Sequence, residues 1–115
     1  MRQFILSLLA CLCLTAYSQT ASQADLLVEE AQKLESKQDY TTAITQLKQA
    51  DELYVKTGKT QSAERATCLH ILGRCYLNLE RPEGLTYTQM AADMRKTILG
   101  ETDIKYISSL NNTGL

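Results

Sequence analysis

Tryptophan is absent from this 115-residue chain, proline, phenylalanine and histidine occur once each, and glycine occurs five times. A β-sandwich or barrel would need turn residues every ~8–12 positions, so the scarcity of proline and glycine favours a helical protein. A single histidine, His70, cannot build a zinc site, and the four cysteines form no Cys-x-x-Cys pair or His/Cys cluster. No excess of one charge exists either: 12 basic and 13 acidic residues give a net charge of −1. That balance supplies no electrostatic reason to bind nucleic acid or an anionic membrane. Low-complexity tracts and charge runs are missing. What remains, 44% hydrophobic and 22% charged residues, is the make-up of one ordinary globular domain with a modest core.

The N-terminus reads as a leader. Met1-Arg2-Gln3 carries one positive charge, Phe4 to Leu14 is uncharged and apolar, and Ala16 and Ser18 form a small-x-small pattern. This is a signal peptide over residues 1–18, cleaved after Ser18, and it implies export to the periplasm or the outside of a bacterial cell. The apolar run is too short to span a bilayer, which takes ~20 residues. A lipoprotein reading through Cys11 is weaker, because Leu12, Cys13 and Leu14 continue the apolar run where a polar tether belongs. Cleavage also removes Arg2, leaving 11 basic against 13 acidic residues, or −2. Of the cysteines, Cys68 and Cys75 stay. On one helix their Cα atoms are ~10 Å apart, and a disulfide needs less than ~7 Å. They are expected as small buried hydrophobes.

After a linker at 19–23, helical spacing takes over. Ser22 and Asp25 resemble a capping box, and Leu27, Ala31 and Leu34 make an i, i+4, i+7 stripe. Asp39 caps a second helix with Ala43, Ile44, Leu47, Ala50 and Tyr54 inward, ended by Gly58. Thr60 or Ser62 caps a third, which carries Leu69, Leu72, Gly73, Tyr76 and Leu79 on its apolar side. Pro82 at the first helical position opens a fourth, with Leu85, Tyr87, Ala91, Ala92, Met94 and Ile98, ended by Gly100. Thr102 caps a fifth that is still helical in pattern at Leu115.

These helices repeat. The small residues Ala31, Gly73 and Gly114 are 42 (31 to 73) and 41 (73 to 114) positions apart. Leu27, Leu69 and Leu110 precede them by four. Leu34 pairs with Tyr76, Ala43 with Leu85, Ala50 with Ala92 and Gly58 with Gly100 at the same offset. A small residue inside the first helix of each hairpin lets the second approach closely, and such hairpins bury their apolar faces by stacking. The pattern Leu69-x-x-Leu72-Gly73-x-x-Tyr76, with Leu85 and Ala92 following, resembles the tetratricopeptide repeat. The order of helix, Ile98-Leu99-Gly100, short acidic link and Ser109-Leu110-Asn111-Asn112 is similar to the longer-helix repeats of kinesin light chains and their bacterial relatives. Leu85, Glu30, Thr113 and Pro82 depart from the usual residues. The resemblance implies an all-α fold: a right-handed superhelix, or α-solenoid, of antiparallel hairpins. Its units would be repeat 1 at 24–58, repeat 2 at 60–100, and the first helix of a truncated repeat 3 at 102–115.

By the same resemblance, the first helices line a concave groove that binds a protein or peptide. Its residues here would be Thr67, His70, Arg74 and Asn78 on the middle unit, Asn111 and Asn112 on the last, and Asp25, Val28, Gln32 and Glu35 on the first. Asparagine both donates and accepts, which suits an extended backbone; Arg74 suits a ligand carboxylate; His70 is expected solvated or in the groove. The Lys and Asn that clamp a C-terminal carboxylate in one variant of the family are replaced by Val28 and Gln32. Asn111-Asn112-Thr113 matches a glycosylation sequon, but on a helix of a bacterial-type protein. No catalytic constellation, cofactor site or small-molecule substrate is indicated, so an enzyme is not expected. The expected function is an exported scaffold for a protein or peptide partner. The alternative is the extracytoplasmic sensor segment of a longer signalling protein, such as a membrane histidine kinase. Exposed Ile104, Ile107 and Leu110 at an uncapped C-terminal end would make the chain marginally stable or self-associating.

Overall fold

A computed structural model describes residues 23–113. The leader with Cys11 and Cys13, the cleavage point, Ser22, Gly114 and Leu115 lie outside the described residues. Five helices make up the described chain: α1 over residues 23–36, α2 Tyr40–Lys56, α3 Ala63–Asn78, α4 Glu83–Leu99 and α5 Ile104–Asn112. Gln23, which the spacing leaves in the linker, is already helical. The class is all-α; no strand occurs among the described residues.

Local chemistry sets the boundaries. The Asp39 carboxylate accepts from the Thr42 amide at 3.4 Å, and the Ser62 hydroxyl from the Arg65 amide at 3.1 Å. Before α5 the cap is Asp103, which accepts from the Lys105 amide at 2.8 Å, instead of Thr102. Pro82 sits at the cap position of α4, one residue earlier than expected, with helical dihedrals (φ −65°, ψ −22°) and no side-chain cap. Gly58, at φ 81°, closes α2: its amide donates to the Val55 carbonyl, and the Lys59 amide reaches back to Tyr54 at 2.8 Å. This double bond pattern satisfies carbonyls that the helix end would otherwise leave free. The same closure ends α1 at Gln38 (φ 63°) and α3 at Glu80 (φ 57°). Both carry a Cβ in the left-handed region, at a cost of ~1–2 kcal/mol each. Gln38 and Glu80 are 42 positions apart, as are Gly58 and Gly100, so positive φ recurs at the spacing of the side chains.

Neighbouring helices pack antiparallel, α3 centrally. Between α2 and α3, Arg65 pairs with Asp51 at 2.6 Å, and the Cys68 thiol donates to the Leu47 carbonyl at 3.2 Å. Between α3 and α4 the backbones nearly touch. A Cβ on Gly73 would lie 2.3 Å from Thr88 Oγ1 and 2.9 Å from the Thr88 amide nitrogen. One on Gly84 would lie 2.8 Å from the Gly73 carbonyl oxygen. Beside that crossing Tyr76 and Tyr87 stack at 5.5 Å, with Lys48 and Arg81 over the Tyr76 ring at 5.6 and 5.7 Å. The hydroxyl of Tyr54 on α2 donates to Asp25 on α1 at 2.7 Å. Ala31, Ala43, Leu47, Ala50, Leu69, Leu72 and both Cys68 and Cys75 are buried as the spacing requires. The cysteines are unpaired, and burial pushes each thiol up to about 12. Three expected apolar contacts are corrected: Leu79, Leu85 and Ile98 are 38%, 50% and 40% exposed. Within the described chain nothing covers them, and periodicity marks a face without saying what lies against it.

Candidate binding face

The helices expected to share a face, α1, α3 and α5, are joined through polar side chains. The Arg74 guanidinium on α3 grips both carboxylate oxygens of Glu35 on α1, at 2.5 and 2.7 Å. His70, one turn earlier on α3, meets Ser109 on α5, with Nδ1 and Oγ 3.1 Å apart. In both links the partners are 39 positions apart.

His70 is corrected: it is 6% exposed and belongs to a buried network, neither solvated nor open to a groove. Arg95 on α4 donates to Ser109 Oγ at 2.9 Å, to the Lys105 carbonyl at 3.1 Å and to Thr67 Oγ1 at 3.4 Å. Asn112 Nδ2 lies 3.4 Å from His70 Nε2. A neutral ring protonated on Nδ1 satisfies every contact. It donates to Ser109, whose second lone pair takes Arg95, and Nε2 accepts from Asn112. Burial, and then the positive charges of Arg95 and Arg74, pull the imidazole pKa down to about 4. Burial also lowers that of Arg95. Neither Arg95 nor Ser109 stood out in the sequence. Arg95 was legible in principle, since it follows Ala91 by one turn and must share its buried side.

Arg74 is likewise committed. Its bidentate carboxylate is Glu35 of the same chain, which removes both from direct ligand recognition while the pair holds. Hydrogen bonding to Glu35 raises the guanidinium pKa. Asn112 is half-buried against His70. Asn78 and Asn111 are exposed, although Asn78 Nδ2 also donates to the Arg74 carbonyl at 2.9 Å. Thr67 lines a cleft between α1 and α3 with Asp25, Val28, Gln32, Glu29 and Glu64, closed at one side by Tyr54. The six expected residues of α3 and α5 therefore divide: Thr67, Asn78 and Asn111 are reachable, whereas His70, Arg74 and Asn112 knit the helices together. The cleft's described lining holds three carboxylates and no cation. Among the described residues no cluster of His, Cys, Asp and Glu is placed to hold a metal ion, and no helix is long and apolar enough to cross a membrane. Compared with protein-family models, curated proteins and solved structures, the chain matches none.

Proposed function

We propose that this chain is an exported scaffold of tetratricopeptide-like hairpins that binds a segment of a partner protein along the face of α1, α3 and α5, without catalysis. The observation that carries the reading is that polar pairs tie α1 to α3 and α3 to α5. Glu35–Arg74 and His70–Ser109 link successive first helices at the same 39-residue offset, beside a cleft with reachable polar groups on both walls. Stacked hairpins with equivalent first helices on one side are what a solenoid groove requires. The carboxylates of Asp25, Glu29 and Glu64 turn the expected chemistry around: with Arg74 taken by Glu35, this cleft suits a Lys or Arg side chain of the partner in place of a carboxylate. Thr67 and Gln32 supply hydrogen bonds to its backbone, and Asn78 and Asn111 extend the track. Export rests on the leader and is tested by N-terminal sequencing of the secreted chain, which should begin at Gln19.

A peptide array read by fluorescence anisotropy tests the binding. Peptides with a basic residue in an extended polar context should bind, and E29K/E64K should weaken them at least tenfold. Retained binding by E29K/E64K, or selection of acidic peptides only, would refute the cleft as the recognition site.

A further inference from the structure

The network that holds α5 in place carries charge of one sign. The His70 ring lies between Ser109 and Asn112 of α5, and the charges that act on it, Arg95 on α4 and Arg74 on α3, are both positive. The carboxylates nearby are engaged elsewhere. Glu35 of α1 is gripped by Arg74, while Asp103, ahead of α5, accepts from the Lys105 amide and acts on Arg95. Lys105 of α5 adds an exposed cation, with its carbonyl bonded to Arg95. A proton added at Nε2 meets the Asn112 amide, which can turn over and present its oxygen. That answers the hydrogen bond but not the charge, because among the described residues no carboxylate bonds the ring.

Such a charge dislodges whichever element is least anchored, and that element is α5. Its one buried side chain is Ser109, whereas Ile104 is 78% and Ile107 44% exposed. Releasing it therefore forfeits little apolar burial. The link over 100–103 is loosely tied as well. Gly100 stands at φ 93° with open space where a Cβ would be, and the Asp103 amide reaches the Gly100 carbonyl only at 3.4 Å. The one ion pair across the link, Lys96–Glu101 at 3.3 Å, is exposed on both sides. By contrast α3 and α4 interlock at Gly73 and Thr88, where backbone meets backbone. A swing at the link frees α5 without disturbing that crossing.

We propose that His70, Ser109 and Arg95 form a proton-operated latch: a proton on His70 releases α5 from α3 and α4 while the hairpins of α1 to α4 stay folded. The docked ring takes its proton near pH 4 and a released one near 6.5. Docking is thus complete above about pH 6.5 and is lost as pH falls toward 4. The consequence for binding rests on the partner face proposed above. Release withdraws Asn111 from that face. It also strips Arg95 of Ser109 and the Lys105 carbonyl, leaving Thr67 as its remaining side-chain partner. Thr67 lines the α1/α3 cleft, so a guanidinium is left beside a site suited to a partner's cation. Acid therefore weakens partner binding.

Native-state hydrogen exchange at about pH 7.5 and 5.0, divided by the intrinsic rates, reads the latch directly. The opening constant of α5 amides should rise about 25-fold at the lower pH, with α5 still opening more often than α3. In H70N the rise should vanish. His70 is the only histidine of the chain, so its ring proton can be titrated by NMR in the wild type, and a midpoint below about pH 6 is expected whether or not H70N folds. An α5 opening constant equal at both pH values, the same rise in H70N, or a ring midpoint at 6.5 would each overturn the latch. So would α5 and α3 opening together at pH 5.0, which is global unfolding. A basic peptide from the array should bind about threefold or more weakly at pH 5.0 than at 7.5, with a smaller loss in H70N. Equal losses would assign the effect to the cleft's carboxylates and overturn the link from α5 to binding. A chain that binds no peptide at pH 7.5 refutes the partner face, and exchange and titration still decide the latch.

Discussion

Gly73 shows how little room one residue leaves for another. Alanine there gains helix propensity of ~1 kcal/mol over glycine. Its methyl group, however, would meet Thr88 Oγ1 at 2.3 Å and two backbone atoms, the Thr88 nitrogen at 2.9 Å and the Gly84 oxygen at 3.0 Å. Thr88 is held by its own bond to the Gly84 carbonyl at 2.7 Å, and backbone cannot rotate away, so α3 and α4 must separate. G73A is expected to lose about 1–3 kcal/mol of stability by urea denaturation. T88A in the same chain should recover only part of that, because the backbone clashes persist. Gln38 and Glu80 give the opposite prediction. Both sit at positive φ, where glycine relieves the Cβ penalty, and Q38G or E80G should each stabilise by about 0.5–1 kcal/mol, net of the added freedom of the unfolded chain. Thermal unfolding should shift upward by a few degrees. The breaks between helices at 36–39 and at 80–82 were legible in the sequence, but the positive φ was not: glutamine and glutamate are not residues that favour the left-handed region, and the conformation is imposed by the helix ends on either side.

At the scale of elements, α5 is held to α3 and α4 by polar bonds, so its docking depends on the charge state of His70. The unfolded imidazole titrates near 6.5 and the buried one near 4. Between those values the unfolded chain binds the proton and the folded one does not. Stability is therefore complete above about pH 6.5 and falls as pH drops toward 4, by on the order of 3 kcal/mol. Urea titrations across that range should show this slope in the wild type, and H70N should lack it, since its amide replaces the Nδ1 donor without titrating. A slope unchanged in H70N would assign it to other groups. The elements themselves were largely readable: Asp39, Ser62, Gly58 and Gly100 marked helix ends, and the 42-residue spacing paired the hairpins. The binding face was read only in part. His70, Arg74 and Asn78 recur at i, i+4, i+8, which places them together on α3 but does not reveal that α1 and α5 come close enough to claim two of them. Partners 39 positions away on other helices, Glu35 and Ser109, leave no mark on the local pattern.

Taken whole, the described chain has a centre and an edge. Helix α3 packs on α2, α4 and α5, and reaches α1 through Arg74 and Glu35, so it cannot open unless the rest separates. Helix α5 buries one side chain and leaves two isoleucines in water. Local opening costs least where little apolar area is lost. Native-state hydrogen exchange should therefore grade across the molecule. Amides of α3 near Leu69 and Leu72 are expected to exchange only through global unfolding, and those of α5 at least a hundredfold faster. Cys68 and Cys75 report the same centre by independent chemistry, because their thiols are buried and shifted up to about 12, and reaction requires an exposed thiolate. Labelling of either should wait for the opening of α3 and yield the free energy measured from its amides. R95M, which removes the guanidinium joining Ser109, the Lys105 carbonyl and Thr67, should speed exchange in α5 more than in α3. Equal acceleration in both helices would mean that α5 belongs to the cooperative core, and that its exposed isoleucines are no sign of a separately docked edge.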